Sequence, residues 1–289
     1  MTIKSILVTL DGSEQSAATL SAALDLVRRF SAHADVLHVR PDALTDVPAI
    51  GEGMSAELAE NVSEGNAQRF EQRARQARAV FVKICAEAGL PVVSPDRIAP
   101  GASLSFIERV GRAHAVMARL GRVHDLILVG PPTDSRDMSH SLTMDALFET
   151  GRPVLVVPHA PPAVMGRHIA VAWNGSAECA RALGGASNFL PFASRVTILT
   201  AESERTPRSV VPELADYLKI HTACVETKLI ASLGKKHLGG RQLLDAVREV
   251  GADFLVMGAH NTGRLKRLML GSATHEVLAQ THVPVLMGH

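Results

Sequence analysis

Aromatic side chains are scarce in this chain of 289 residues, where Phe, Trp and Tyr together make up only 3%. Proteins that bind single-stranded nucleic acids commonly stack the bases on aromatic rings, so this scarcity argues against such a platform. The formal net charge is +1, and no basic run stands out as a footprint for a phosphate backbone. We therefore predict no nucleic-acid partner, and we expect cores built from aliphatic side chains.

Long apolar runs are also lacking, since no stretch approaches the roughly 18 residues that a membrane-spanning helix needs. The first apolar run, in MTIKSILVTLDGS, is too short for a signal peptide. The three cysteines, Cys85, Cys179 and Cys224, show no paired motif spacing, which is typical of a reducing compartment. These features predict a cytoplasmic protein with no membrane partner.

Catalytic signatures are missing as well. The sequence contains no Walker-type phosphate loop, no Gly-x-Ser-x-Gly elbow and no pair of carboxylates that stands out as an acid/base couple. His221 and Cys224, with His237 further along, would need a fourth ligand to hold a zinc ion. We therefore predict a protein that is not an enzyme and has no metal site.

What the chain does have is a regular alternation of short apolar runs and helical patterns. Such alternation predicts parallel sheets wound by helical crossovers. In the first half the predicted strands lie at 5–10, 35–39, 126–129 and 153–157. A further short strand is predicted around Val92, Val93 and Ile98, followed by a helix from Ser105 to Leu120.

The same order of elements then starts again. The segment IAVAWNGSAE in the second half repeats ILVTLDGSE in the first, which places Asn174 opposite Asp11. This internal duplication predicts two tandem domains, 1–160 and 161–289, joined at a Pro-rich seam. Each domain is expected to be an α/β unit with an open five-stranded parallel sheet between helices, a Rossmann-like arrangement.

One stretch near the end of the chain has the pattern of an anion-binding loop. Gly258 follows the apolar run FLVM, and Gly271 and Ser272 open the next helix. A glycine lets backbone N–H groups approach a ligand closely, and a helix N-terminus favours negative charge. The Ser272 hydroxyl can cap the helix or donate to a phosphate oxygen. Turn chemistry and helix packing alone would also account for both glycines.

This stretch resembles the signature loop of the universal stress protein family, G-x2-G-x9-G-[S/T], except that Asn261 stands at the second glycine. Both halves resemble the family, so the likeness covers nearly the whole chain and implies a tandem member. In nucleotide-binding members the loop holds the ribose and phosphates of ATP. The resemblance therefore implies ATP as the cofactor, at these residues: Asn174, Gly258, Asn261, Gly271, Ser272 and Ala273.

The two halves differ where a ligand would bind. In ATP-binding members an acidic residue after the first strand contacts the adenine edge, and the first half keeps it as Asp11. That residue could equally be a general base, a metal ligand or a turn former. The matching first-half loop, PPTDSRDMS, is shorter and has two prolines and two acids, which disfavour phosphate. The second half has the better loop, with three cations that could hold phosphate or face solvent: Arg264, Lys266 and Arg267.

The resemblance implies a non-catalytic stress-response protein that binds an adenine nucleotide in its second domain, as a switch for protein partners that the sequence does not identify. A slow ATP hydrolase or nucleotidyl-transfer enzyme is one alternative, and an interaction module without nucleotide is another. Single-domain family members dimerise through their last strand. We therefore predict that 154–157 and 283–287 pair antiparallel within the chain as an intrachain pseudo-dimer; a further homo-oligomer stays open.

Overall fold

A computed structural model describes residues 2–42, 56–97, 101–132, 138–201, 211–230, 239–259 and 271–289, without the side chains of 56–64 and 138–141. The elements of the first half are β1 (Ser5–Thr9), α1 (Glu14–Phe30), β2 (His33–Arg40), α2 (Ala56–Ala88), β3 (Ser103–Val110), α3 (Ala113–Gly121), β4 (Leu126–Val129), α4 (Met138–Glu149) and β5 (Val154–Val156).

The second half repeats this succession. Its elements are β6 (His168–Trp173), α5 (Ala177–Ala186), a short 3-10 helix (Leu190–Phe192), β7 (Arg195–Thr200), α6 (Val211–Lys219), β8 (Val225–Leu229), α7 (Gly240–Val250), β9 (Phe254–Gly258), α8 (Ser272–Gln280) and β10 (Val285–Gly288). Strands and helices alternate in both halves, which confirms the predicted α/β class.

All ten strands form one sheet in the order β3-β2-β1-β4-β5-β10-β9-β6-β7-β8. Pairing is parallel within each half, and the strand order of the first half is mirrored in the second. The predicted five-stranded parallel sheets are therefore present, fused edge to edge.

The fusion occurs where the sequence predicted it, between the last strands of the halves. β5 and β10 pair antiparallel, with Leu155 opposite Leu286 and Val156 opposite Val285. Leu155, Leu286 and their strand neighbours are fully buried. Two apolar sheet edges that would otherwise be open to another chain are thus closed on each other.

The helices cover both faces of this sheet, and successive strand residues point to opposite faces. Ile6 and Val8 belong to one core cluster and Leu7 to the other. The first cluster collects side chains from α1, α2, α5 and α6, and the second collects them from α3, α4, α7 and α8. Each cluster runs through both halves, so the two repeats share their cores.

The predicted third strand of the first half was wrong. β3 is formed by Ser103–Val110, which includes the start of the helix expected from Ser105, and α3 begins only at Ala113. Val92 makes a single bridge to Leu104. The alternation of Leu104 and Phe106 with serines is the two-residue period of a strand. Burial of those serines hid this signal, because buried strands usually read as continuous apolar runs.

Each half fixes its central strands with an equivalent aspartate. Asp125 Oδ2 accepts hydrogen bonds from the backbone N–H groups of Lys4 (2.8 Å) and Ser5 (3.0 Å). Asp253 uses both oxygens: Oδ1 accepts from the Gly166 N–H (2.7 Å) and Oδ2 from the His168 N–H (3.2 Å). The duplication thus extends to single hydrogen bonds. Within the described ranges, no helix is long and apolar enough to cross a membrane.

Candidate functional site

The first strand of each half ends in the same kind of turn. Asp11 Oδ1 accepts from the Ser13 N–H (2.9 Å) and hydroxyl (2.6 Å), and Asn174 Oδ1 accepts from the Ser176 N–H (3.0 Å). The turn-forming interpretation of Asp11 is therefore confirmed, and Asn174 does the same work. The Asn174 oxygen is engaged, and its amide nitrogen, a donor, has no partner among the residues that the structure describes.

Gly258, at the carboxyl end of β9, lies against the first turn of α5. A Cβ atom there would be 2.7 Å from the backbone nitrogen of Cys179 and 2.8 Å from the carbonyl carbon of Glu178. Asn174 Oδ1 also contacts Cys179, since the thiol donates to it at 3.1 Å. Cys179 thus joins two of the predicted site residues, and helix packing by itself requires glycine at 258.

The start of α8 is the part of the predicted loop whose backbone donors have no partner among the described residues. Gly271 is its N-cap residue and makes no side-chain capping hydrogen bond, and Ser272 is exposed. The neighbouring helices differ, because the Ser176 hydroxyl caps α5 and the Glu276 carboxylate accepts from the first turn of α7. No described residue accepts from the N–H groups of Ser272 and Ala273, so within the described ranges these groups are available to an anion.

The remaining predicted residues fall elsewhere. Ala273 is partly buried, with its carbonyl oxygen packed beside Gly240 at the start of α7. Asn261 lies outside the described residues, and so do the loop cations Arg264, Lys266 and Arg267. In the described part of the chain, no three His, Cys, Asp or Glu side chains converge as metal ligands do.

A cavity lies in the first half, which the sequence had marked as the poorer site. It has a volume of about 430 Å³ and sits at the carboxyl ends of β1, β2 and β4, where open α/β sheets bind ligands. Its lining residues are Thr9, Leu10, Asp11, Ser13, Glu14, Gln15, Ser16, Leu37, His38, Val39, Val129, Gly130, Leu142 and His159.

Two polar residues of this cavity were missed by sequence reasoning. His38 is 2% exposed, with Nδ1 at 2.8 Å from the Leu10 carbonyl oxygen. Gln15 donates from Nε2 to the Val157 carbonyl oxygen at 2.9 Å, which leaves Oε1 buried without a donor. The available signal was a histidine inside the apolar strand VLHV, since a buried polar side chain normally has a specific partner.

A second polar cluster lies near the opposite, amino end of the first-half strands. The Asp35 carboxylate is 3.0 Å from His124 Nε2 and 3.1 Å from His33 Nε2, and it accepts from the Ser105 hydroxyl at 2.5 Å. Burial raises the pKa of this carboxyl, but the hydrogen bonds from His124, His33 and Ser105 outweigh it and hold the pKa well below its usual range. This cluster ties β2, β3 and the segment before β4 together.

The fold defines a class: an α/β protein made of two Rossmann-like repeats. The model of the universal stress protein family matches residues 2–96 and 165–289, which together are most of the chain. This chain belongs to that family. Its sequence is 22% identical to the universal stress protein Slr1230 of Synechocystis over 98% of this chain and 99% of that protein.

Solved structures agree with this fold from end to end. A universal stress protein from Archaeoglobus fulgidus superposes with a TM-score of 0.69 at 16% identity, over 99% of this chain and 98% of that one. A Pseudomonas aeruginosa PAO1 protein of unknown function gives 0.56 at 15% identity, over 98% and 92%. The tandem arrangement is thus found in other proteins of this fold.

Proposed function

We propose that this protein is a non-catalytic, cytoplasmic stress-response protein that binds ATP or another adenine nucleotide in its second half. The observation that carries the proposal is the start of α8, where no described residue caps the first-turn N–H groups and which follows Gly258 at the carboxyl end of β9 along the chain. Family membership supports the stress-response part. Bound nucleotide would favour one of two conformations and so change the affinity for protein partners.

Each predicted residue has a defined part in this proposal. The backbone N–H groups of Ser272 and Ala273 hold a phosphate at the positive end of the α8 dipole, and the Ser272 hydroxyl adds a donor. Asn174 donates its amide to an acceptor nitrogen of the base, since its oxygen is engaged in the turn. Gly258, Asn261 and Gly271 shape the loop around the sugar and phosphates.

The direct test is to incubate the full chain with ATP and Mg²⁺, measuring binding by calorimetry and products by chromatography. We expect binding without turnover. Turnover would support the ATP hydrolase alternative instead. If neither binding nor turnover is found, the protein is an interaction module without nucleotide.

Ser272→Asp locates the site without endangering the fold. An acid in the first turn of a helix stabilises it through the dipole, yet the same charge repels phosphate. We expect at least a tenfold loss of ATP affinity with an unchanged or raised melting temperature. His114→Asp makes a comparable change in the first turn of α3, at an exposed position of the first half, and should leave ATP affinity unaltered.

The variant Asn261→Gly tests whether the family's loop pattern strengthens nucleotide binding in this chain. It restores the family pattern at the position where this loop departs from it, and it removes side-chain volume and any penalty for positive φ. We expect several-fold tighter ATP binding. A weaker affinity would instead make Asn261 a contact of the nucleotide.

A further inference from the structure

The first-half cavity has hydrogen-bond acceptors to which no described residue donates. Nδ1 of His38 lies 2.8 Å from the Leu10 carbonyl oxygen, which can only accept, so Nδ1 carries the proton. In the neutral ring Nε2 is then an acceptor, and no described residue donates to it. His38 is 2% exposed and is one of the residues that line the cavity.

Two carboxylates line the same space. Asp11 uses one oxygen for Ser13, and its other oxygen has no partner among the residues that the structure describes. Glu14 also lines the cavity and has no ion pair within the described ranges. Among the lining residues that the structure describes there is neither lysine nor arginine. Gln15 adds the negative end of its amide dipole, since Oε1 is buried in this wall without a donor.

The groups that would hold a phosphate are correspondingly weak here. Gly130, at the end of β4, is followed by two prolines, Pro131 and Pro132, which have no backbone N–H to donate. The Ser13 hydroxyl already accepts from the Ser16 N–H and so caps α1. An anion entering this cavity would meet two carboxylates and few free donors, whereas a cation would find both charge and acceptors.

We propose that the first-half cavity binds a small organic cation: an ammonium or amidinium group attached to an apolar body. The charged group donates to Asp11, Glu14 and His38 Nε2. The apolar body packs on the aliphatic lining residues, among them Leu37, Val129 and Leu142. This site goes beyond the proposed nucleotide site and is independent of it, because it uses a different half of the chain and the opposite ligand charge.

The test uses tryptamine as the cationic probe and indole-3-acetate as an anionic probe with the same ring. Binding to the full chain is measured by equilibrium dialysis and by ligand-observed NMR. Asp11→Asn removes one charge but keeps the turn, since Asn174 makes that turn in the second half. His38→Asn keeps a donor near the position of Nδ1 and removes the Nε2 acceptor. Asn174→Asp is the control, because it adds a carboxylate at the equivalent position of the other half.

We expect one tryptamine per chain, at least tenfold weaker binding of indole-3-acetate, and at least fivefold weaker tryptamine binding in Asp11→Asn and in His38→Asn. Asn174→Asp and added ATP should leave tryptamine binding unchanged.

The proposal fails if tryptamine does not bind at millimolar concentration, if indole-3-acetate binds as tightly as tryptamine, or if both cavity variants bind tryptamine like the parent while their melting curves show that they are folded. ATP competition that Asp11→Asn abolishes would reassign this cavity to nucleotide. Ser272→Asp should lower ATP affinity alone, so the two proposals fail separately.

Discussion

The two halves of this chain share a backbone plan and differ in where polar groups are buried. At the amino end of the strands the first half has Asp35 and His124, where the registers place Thr197 and Ala252 in the second. At the carboxyl end the first half has a cavity rich in acceptors, and the second half has a glycine-bordered loop. The two halves therefore retain the same apolar sheet, which packs against both core clusters. They differ in the charged and polar side chains at the two ends of its strands.

The largest effect is expected at the junction, which the halves share equally. Leu155→Asp and Leu286→Asp each place an unpaired charge at a position that is 0% exposed. Each change should lower the free energy of unfolding by about 4 kcal/mol or more, as urea denaturation would show. Val123→Asp, at a residue 70% exposed, is the control and should cost little. If both junction variants melt like the parent, the two halves do not depend on this interface.

This junction also shows how far the sequence alone could go. The apolar runs ending each half, with the family resemblance, predicted the pairing of β5 with β10 and the five-stranded parallel halves. The serine-interrupted β3 was missed, because its buried Ser103 and Ser105 break the apolar run. The cavity itself could not be foreseen either. The histidine inside VLHV marked a buried polar position, but the cavity also depends on Gln15, whose position in α1 has no distinguishing pattern in the sequence.

The polar cluster is the next largest difference between the halves. The His124 ring has an oxygen acceptor at each nitrogen: the Leu120 carbonyl at 2.7 Å and the Asp35 carboxylate at 3.0 Å. His124→Ala therefore removes one of the hydrogen-bond partners of the half-buried Asp35 carboxylate and leaves that carboxylate less well paired. We expect a loss of about 3 kcal/mol in the free energy of unfolding, measured by urea denaturation.

A double-mutant cycle separates the pair from its surroundings. Asp35→Thr combined with His124→Ala copies the pair that the second half has, Thr197 and Ala252. The double variant should be more stable than the sum of the single losses predicts, with a coupling of about 1–2 kcal/mol. Additive losses would mean that the two side chains act independently despite their contact.

The equivalent glycines Gly258 and Gly130 should respond unequally to alanine. At Gly258 the new Cβ would meet backbone atoms of α5 at 2.7 and 2.8 Å, which cannot move without shifting the helix. At Gly130 it would meet the Gln15 side chain at 3.0 Å, which can rotate away. Gly258→Ala should therefore cost about 2 kcal/mol and Gly130→Ala under about 1 kcal/mol, as thermal melting would show. Equal losses of stability in the two variants would indicate that the backbone at the start of α5 shifts as easily as the Gln15 side chain rotates.

The smallest expected effect is a dependence on acid that belongs to the first half. The folded protein holds the pKa of Asp35 below its usual range, so the unfolded chain binds this proton first as the pH falls. The resulting stability is fully present above an ordinary aspartate pKa of about 3.9 and is lost as the pH falls toward the folded value. The variant Asp35→Thr/His124→Ala lacks this carboxyl group. The difference in the free energy of unfolding between the parent and this variant should therefore fall by about 1.5 kcal/mol between pH 4 and pH 2.5.

Urea denaturation midpoints of the parent and the variant, measured from pH 4 to pH 2.5, give this difference in stability. The other carboxyl groups are the same in both proteins, so we expect their contributions to cancel. Asp25→Asn serves as the matched control, because this side chain is 52% exposed and its gap to the parent should stay nearly constant. A gap that is constant for the Asp35 variant, or that widens in acid, would contradict the depressed pKa. If this stability difference becomes smaller in acid, the acid sensitivity of the first half arises from its Asp35 carboxylate and not from the sheet that both halves contain.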